Sequence, residues 1–230
     1  MKASSSPPVD GAAGGKKAPL TVSFVSQKGG VGKSTLARLF AVGAAHRGMK
    51  PLLADFDLEQ LTCVEWSALR LHNSVEPEID ARAFKSLKKL RKNEDGADIV
   101  VVDTRGLADE LAHDIAEDSD VVFLPTGTSG DDLRPTLALA RKLAKHGADG
   151  RLVVVLSKVG RSEPQIQKAI ETVEQAGFEL LAERWPLRDG FQNDLDSGRA
   201  GRESRHRSLR EAAEKMEAAL FARVERAKRR

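Results

Sequence analysis

The sequence predicts an α/β fold: a doubly wound, mostly parallel sheet with helices on both faces. Strand-like and helix-like segments alternate from Leu20 onwards, which is the order that builds parallel sheets. Residues 99–102, Ile-Val-Val-Val, are apolar without alternation, as expected of a strand covered on both faces. A glycine-rich stretch at 28–35 joins the first strand-like segment to the first helix-like one. Ligands of such sheets bind beyond the carboxyl ends of the strands.

The elements follow from apolar runs and their end signals. The first strand is predicted at 20–26, and the helix at 34–47 is closed by Gly48. A second strand at 51–56 leads into Asp57, and Pro135 suits only the first turn of a later helix. Further strands are predicted at 76–82 (an edge), 98–103, 121–125, 152–156 and 178–184. Further helices are predicted at 61–71, 83–92, 107–117, 131–146, 163–176 and about 203–229.

Composition bounds the class of protein. We expect residues 1–19, rich in Ser, Pro, Gly and Ala, to be a disordered tail, and residues 20–230 to form a single domain. The single Cys63 excludes an internal disulfide and suits a reducing compartment. No apolar run approaches the ~20 residues that cross a bilayer, and the start has no secretory apolar core. The five His residues show no metal-ligand spacing.

The glycine-rich stretch predicts a phosphate-binding loop. Its glycines let backbone N–H groups approach an anion closely, and the helix that follows adds unpaired N–H groups. Lys33 places a positive charge on the β- and γ-phosphates, and the Ser34 hydroxyl is a ligand for Mg²⁺. The residues expected to bind the nucleotide here are Gly29, Gly30, Val31, Gly32, Lys33, Ser34 and Thr35.

This loop departs from the standard motif, because Gln27 stands where the first glycine is usual and Lys28 follows it. It resembles the deviant Walker A motif of the ParA/MinD family of P-loop ATPases, whose fold is of the SIMIBI type. The resemblance implies binding of ATP with Mg²⁺. It also implies that Lys28 is a signature lysine, which crosses a dimer interface to the partner's nucleotide. Lys28 and Lys33 are therefore candidate catalytic residues.

Three carboxylates follow predicted strands. Asp103 ends the buried run 99–102 and, after a phosphate-binding loop, is expected to hold Mg²⁺. Asp55 and Asp57 are two apart in an extended chain and so point the same way. By resemblance to the family's Asp-x-Asp element, Asp57 orients the attacking water and Asp55 lies near the magnesium. The expected metal ligands are thus Ser34, Asp55 and Asp103. After the second aspartate of the element, this chain has Leu58-Glu59 where the family usually has Pro-Gln.

Other loops resemble the family more weakly. Residues 185–188, Trp-Pro-Leu-Arg, resemble a Pro-x-Arg loop beside the adenine, so Pro186 and Leu187 are expected near the base. Ser157 stands where relatives carry Asn. Arg105 is unusual; contact with phosphate, pairing across a dimer and simple solvation stay open. Ser129 and Asp132 are the nearest matches to another loop element of the family.

The resemblance implies a ParA-like ATPase that forms an ATP-dependent homodimer and binds DNA non-specifically. An adaptor, ParB-like or other, would stimulate hydrolysis, and the cycle would segregate or position plasmid, chromosome or other cargo. The protein is then expected in the cytoplasm, associated with the nucleoid. The basic end of the closing helix or the lysine-rich segment 85–92 would contact DNA. The alternatives are a MinD-like ATPase cycling on a membrane and a P-loop metabolic ligase. The stripe of the closing helix is rich in alanine and lacks the bulky anchors of a membrane-surface helix, so DNA is favoured over a membrane as the partner of that helix.

Overall fold

The computed structural model describes residues 18–106 and 110–229. Within them, parallel strands form one seven-stranded sheet in the order β3-β2-β4-β1-β5-β6-β7, which confirms the predicted fold class. The strands are β1 Leu20–Phe24, β2 Pro51–Asp55, β3 Asp80–Ala83, β4 Ile99–Asp103, β5 Val121–Thr126, β6 Leu152–Leu156 and β7 Glu179–Leu180. The helices are α1 Lys33–His46, α2 Thr62–His72, α3 Leu87–Arg91, α4 Glu110–Glu117, α5 Gly130–Leu143, α6 Glu163–Gln175, α7 Asp189–Leu195 and α8 Arg207–Lys228.

Strand β4 shows why the sheet is covered on both faces. All five of its residues are buried, and successive side chains enter opposite layers of the core. Val101 packs with α1, α2 and α8 on one face, whereas Val100 and Val102 pack with α3, α4 and α5 on the other. An apolar run without alternation is the sequence signature of such a strand.

The register of the central strands determines where the functional groups meet. Asp103 at the end of β4 pairs with Phe24 of β1 on one side and with Asp55 of β2 on the other. The two carboxylates therefore lie side by side at the carboxyl edge of the sheet. The loop between β1 and α1 leaves the sheet at the same edge, next to both of them.

Helix α8 packs on α1 through its apolar stripe, as predicted. Leu209, Met216 and Leu220 are buried in the layer that also contains Phe40. The rings of Phe40 and Phe221 stack with their centroids 4.2 Å apart, a geometry worth about 0.5–1.5 kcal/mol beyond the area it buries. The helix begins at Arg207, after a 3₁₀ turn at Gly201–Glu203, rather than at 203.

A buried arginine ties the last part of the chain to α2. The guanidinium of Arg70 donates two hydrogen bonds of 2.6 Å to the carboxylate of Glu203 and others to the carbonyl oxygens of Pro77 and Gly198. The Trp66 ring faces both Arg70 and Arg38, each 5.4 Å from the ring centroid. Helix α2 directly follows the Asp57 loop, so this cluster couples that loop to residues 198–203.

Several element boundaries differ from the sequence predictions. The predicted strand at 178–184 is only Glu179–Leu180, and the edge strand is Asp80–Ala83 rather than 76–82. The helix predicted at 83–92 shortens to Leu87–Arg91, because the Ser86 side chain accepts the Lys89 N–H and caps it. The helix predicted at 131–146 ends at Leu143, and the backbone leaves the helical conformation at His146 and at Gly147, whose φ is 88°.

Helix α7 was missed by the sequence reading, because its few apolar residues show no clear period. Its Phe191 ring packs on the nearby Trp185 ring, with the centroids 4.1 Å apart, and Phe191 and Leu195 are buried in the layer that also contains Leu209 of α8. The tail predicted at 1–19 lies outside the described residues except for Ala18 and Pro19, and so do the first three residues of the helix predicted at 107–117. No helix of residues 18–106 or 110–229 is long and apolar enough to cross a bilayer.

Candidate functional site

The loop that joins β1 to α1 is shaped by two glycines with left-handed backbone conformations. Gly30 has φ 76° and Gly32 has φ 91°, values that residues other than glycine rarely adopt. A Cβ on Gly32 would also lie 2.7 Å from the Ser157 hydroxyl oxygen. Gly32 immediately precedes α1, and no side chain in the described part of the molecule caps that end of the helix. The unpaired N–H groups of the first turn therefore remain available to an anion.

Lys33 is held inside the loop rather than in solvent. It is 7% exposed, and its Nζ donates a 3.4 Å hydrogen bond to the carbonyl of Lys28. Burial lowers the pKa of Lys33, while the charges of Asp103 and Asp57 act to raise it. A buried ammonium with two carboxylates nearby is suited to meet a polyanion in place of water.

Asp103 and Asp55 form a buried carboxylate pair. Burial raises the pKa of Asp103 to about 6, although hydrogen bonding with Ser34 and Cys63 acts in the other direction. Burial likewise raises the pKa of Asp55, which accepts the N–H of Cys63 at 2.8 Å. The Cys63 thiol donates to Asp103 Oδ2 at 3.2 Å, whereas Asp103 Oδ1 has no hydrogen-bond partner among the described residues.

This arrangement fits a divalent cation. An orphaned buried carboxylate oxygen and a raised pKa both indicate a carboxylate whose charge is not fully compensated by its neighbours, Lys33 included. Within residues 18–106 and 110–229, no group of three or more His, Cys, Asp and Glu side chains could hold a metal. Mg²⁺ suits such a sparse site, because it keeps several waters and takes only one or two carboxylates, with phosphate oxygens completing the shell.

Asp57 lies on the loop after β2, just outside this pair. Its backbone N–H donates to Asp55 Oδ1 at 2.9 Å. Its own Oδ1 accepts the N–H groups of Glu59 and Gln60 at 3.3 and 3.1 Å, which leaves Oδ2 outside these bonds. The local turn therefore fixes the orientation of the carboxylate.

A cavity of about 230 Å³ brings these elements together. It is lined by Gly29, Gly30, Gly32, Lys33, Ser34, Thr35, Asp57, Gln60, Thr62, Thr104, Gly106 and Lys158. Gly106 approaches the loop closely, since a Cβ there would lie 3.2 Å from the Gly29 nitrogen. Gln60, Thr62 and Lys158 are lining residues that the sequence did not single out as phosphate contacts. Lys158 has φ 53°, and strained conformations of this kind concentrate at functional sites.

Lys28 points away from that cavity and pairs with Asp132 at the start of α5. Burial acts to raise the pKa of Asp132, but hydrogen bonds from Lys28 and Ser129 outweigh it, and the net effect is a lowered pKa. Ser129 caps α5 and donates to Asp132 Oδ2 at 2.6 Å. The pair lines a second cavity of about 300 Å³, together with Gly29, Gly30, Val31 and Ser157.

Pro186 and Leu187 line neither of these two cavities. Pro186 pairs with Val159 just beyond β6, and Leu187, 59% exposed, donates its N–H to the Val159 carbonyl at 3.0 Å. Ser157, at the end of β6, has a buried hydroxyl oxygen with no partner among the described residues. Arg105 pairs with Glu59 of its own chain at 2.7 Å, an alternative that the sequence analysis did not consider.

The role of Cys63 at this site is not apparent from the sequence, which indicates only a reduced thiol. In the structure, the Cys63 N–H donates to Asp55 and its S–H donates to Asp103, so this residue contacts both buried carboxylates. The contact with Asp103 spans 40 positions of sequence, so no local motif reveals it.

Comparison with known proteins places the site in context. Residues 22–198 match the model of the CobQ/CobB/MinD/ParA nucleotide binding domain. Protein ParA from Rhizobium radiobacter is 25% identical over 104 residues, which cover 45% of this chain and 47% of that protein's length.

Two solved structures extend the likeness to most of the chain. A protein assigned to plasmid partition from Borrelia burgdorferi B31, bound to AMPPNP, superposes with a TM-score of 0.69 at 16% identity, covering 89% of this chain and 99% of that one. The septum site-determining protein MinD from Pyrococcus horikoshii OT3, complexed with Mg-ADP, gives a TM-score of 0.63 at 15% identity, covering 90% and 99%. At these identities the likeness shows a shared fold.

Proposed function

The chain belongs to the CobQ/CobB/MinD/ParA nucleotide-binding domain family, and from that premise we propose that it is a ParA-like ATPase. In this proposal two copies close around ATP and Mg²⁺, bind DNA non-specifically and separate after hydrolysis. The observation that carries the proposal is the meeting of Lys33, Ser34, Asp57 and Asp103 at the glycine-rich loop, with one buried oxygen of Asp103 left without a partner among the described residues.

Each group has a distinct task at this site. The loop amides of Gly29 to Thr35 bind the phosphate chain, and Lys33 neutralises its negative charge. Ser34 and Asp103 would hold the Mg²⁺, with Asp55 beside them. Bound Mg-ATP supplies the phosphoryl group that is transferred to water. Asp57 orients that water through Oδ2, since Oδ1 is engaged by the turn.

Lys28 is the group that requires a second copy of the chain. By resemblance it reaches the nucleotide of the partner, so its pair with Asp132 must open when the dimer closes. The pair is partly exposed, and pairs of this kind contribute about 0.2–1 kcal/mol. Its opening therefore adds little to the free energy of dimerisation.

The cellular role follows from the family and from charge. The Rhizobium radiobacter relative is named ParA, which supports a role in partition. We propose that an adaptor protein stimulates hydrolysis and that the cycle positions a plasmid, chromosome or other cargo on the nucleoid. Membrane cycling of the MinD type is less well supported, because the large apolar side chains exposed among the described residues, Leu58, Leu71 and Leu187, lie outside α8.

A metabolic ligase is the second candidate, and one cavity favours it. A space of about 270 Å³ lies beside the phosphate site and shares Thr104 with it. Phe56, Leu58, Phe84 and Ile115 contribute to its lining, as a pocket for a small substrate would require. ATP turnover that is independent of DNA but requires a small-molecule substrate would favour the ligase over the ATPase switch.

Sizing the protein with ATP, ADP or no nucleotide, with and without DNA, tests the proposal. We expect dimers with ATP alone and DNA-bound dimers with both. Lys33→Ala should abolish ATP binding, measured by calorimetry, because the buried charge that meets the phosphates is gone. Wild-type ATP affinity in Lys33→Ala, or a monomer under all conditions, would contradict the proposal.

A further inference from the structure

Helix α3 and the residues that flank it carry four outward lysines. Lys85, Lys88, Lys89 and Lys92 are exposed, and none takes part in an ion pair within the part of the chain that the structure describes. We call these four residues the α3 lysine face. On the inner side Phe84 and Leu90 are buried, which fixes the orientation of the segment.

The other charges around this face are already matched. Arg82 pairs with Asp80, and Arg91 pairs with both Glu94 and Asp118. Asp95 is exposed close by and offsets one of the four positive charges. The face therefore keeps a positive excess that its own neighbours do not compensate.

This excess is unfavourable in the isolated protein. Lys88 and Lys92 are four residues apart, and like charges at that spacing on a helix repel by a few tenths of a kcal/mol. A five-residue helix is too short to be stable alone, so it rests on the packing of Phe84 and Leu90. A bound polyanion would relieve the repulsion.

Helix α8, the other basic segment, is different. Its outward side carries Glu211, Glu214 and Glu225 among its basic residues. Arg207 pairs with Glu211, and Arg226 pairs with Glu179. Lys215, Lys228 and Arg229 have no ion pair among the described residues, but glutamates stand between the basic residues along the helix. The predicted basic face is therefore a face of mixed charge.

We propose that the α3 lysine face, rather than α8, binds the phosphate backbone of DNA; this inference rests on the DNA binding proposed above. Even at the helical rise of 1.5 Å per residue, positions 85 to 92 span about 10 Å, over which a duplex carries about six phosphates. Four flexible ammonium groups on that span contact phosphates without reading bases. The face recognises backbone charge, so the binding is independent of sequence.

The face also adjoins the nucleotide site. Lys85 and Phe84 line the same cavity as Leu58 and Thr104, which belong to the loops after β2 and β4. Strand β3 is the edge of the sheet and pairs with β2, whose end carries Asp55. DNA on α3 would therefore lie against the loop that holds Asp57.

The test compares two quadruple variants with equal loss of charge. One changes Lys85, Lys88, Lys89 and Lys92 to Gln. The control changes Lys215, Arg226, Lys228 and Arg229 of the α8 segment to Gln. With ATP and Mg²⁺, binding to a duplex of random sequence, about three helical turns long, is measured between about 50 and 200 mM salt. Because each phosphate contact contributes about −0.9 to the slope of log K against log salt, losing four contacts should flatten the slope by about 3.6 per protomer. The control should keep the wild-type slope.

Thermal unfolding and ATP affinity establish that both variants remain folded, and a Lys88/Lys92 double variant gives a milder test, with a slope change of about half that size. A wild-type slope in the α3 variant, or a flattened slope in the control instead, would overturn the assignment. If the wild-type protein with ATP leaves the duplex unbound, the proposed function itself fails. If it pellets with vesicles of phosphatidylserine and phosphatidylcholine in place of DNA, and the α3 variant does not, the face is a lipid-binding one and the DNA assignment is wrong.

Discussion

The buried carboxylate Asp103 should make the nucleotide-free protein less stable as the pH rises. Its pKa is about 6 in the folded chain against an ordinary value of 3.8. Between these two pKa values the folded state binds more protons at this carboxyl than the unfolded state does. The free energy of unfolding therefore falls as the pH rises through this interval. At about 1.36 kcal/mol per pH unit, the full difference is about 3 kcal/mol.

Asp103→Asn isolates this effect, since the amide stays neutral at every pH. Titrating groups that do not interact with Asp103 cancel when the variant is compared with the wild type. Between about pH 4.5 and 7.5 the difference in free energy of unfolding should shift by about 2 kcal/mol in favour of the variant, the remainder lying at lower pH. Urea unfolding in the presence of a chelator, at several pH values across this interval, measures it.

A measurement with bound nucleotide sharpens this prediction. At the alkaline end of the interval, Mg-ATP should stabilise the wild type by more than it stabilises Asp103→Asn, because only in the wild type does the cation compensate a buried charge. A pH-independent difference for Asp103→Asn would refute the argument that burial leaves this carboxylate uncompensated.

Three further substitutions test other parts of the site. Gly32→Ala should lower the free energy of unfolding by about 1–3 kcal/mol and weaken ATP binding, because the φ of Gly32 is 91° and a Cβ there would meet Ser157. The control is Gly48→Ala, at φ 75° with open space around it, which should be destabilised without any change in ATP affinity. Asp57→Ala should keep ATP-bound dimers and stop phosphate release, so normal turnover would remove Asp57 from the mechanism. Asp132→Ala should free Lys28 and tighten ATP-dependent dimerisation about two- to threefold, the worth of an exposed pair, as measured by sedimentation; weaker dimers would show that the pair does not restrain Lys28.

The sequence was sufficient for those parts of the site that depend on local spacing. Lys33 and Ser34 follow a glycine-rich turn, and Asp103 ends an apolar run, so all three positions can be found without coordinates. Their nearness follows from the topology, because the carboxyl ends of neighbouring parallel strands meet at one edge. The register of β1, β2 and β4 then places Asp55 beside Asp103.

Contacts that join distant segments could not be read in this way. The pair of Lys28 with Asp132 spans 104 positions, and the thiol of Cys63 meets Asp103 across 40. Helix α8 shows a related limit: its sequence contains an excess of basic residues, but only the folded chain shows which of them glutamates neutralise. Composition measures net charge, whereas binding depends on how that charge is distributed over the surface.

The ion pair between Arg70 and Glu203 limits how far the chain can be shortened and still fold. The region that matches the family ends at residue 198, whereas the carboxylate that neutralises this deeply placed guanidinium comes from residue 203. A fragment that ends at residue 198 would leave the Arg70 guanidinium buried without its carboxylate, at a cost of about 3–5 kcal/mol. That is a large share of the free energy of unfolding of a typical domain. The smallest autonomous unit therefore extends past the matched region.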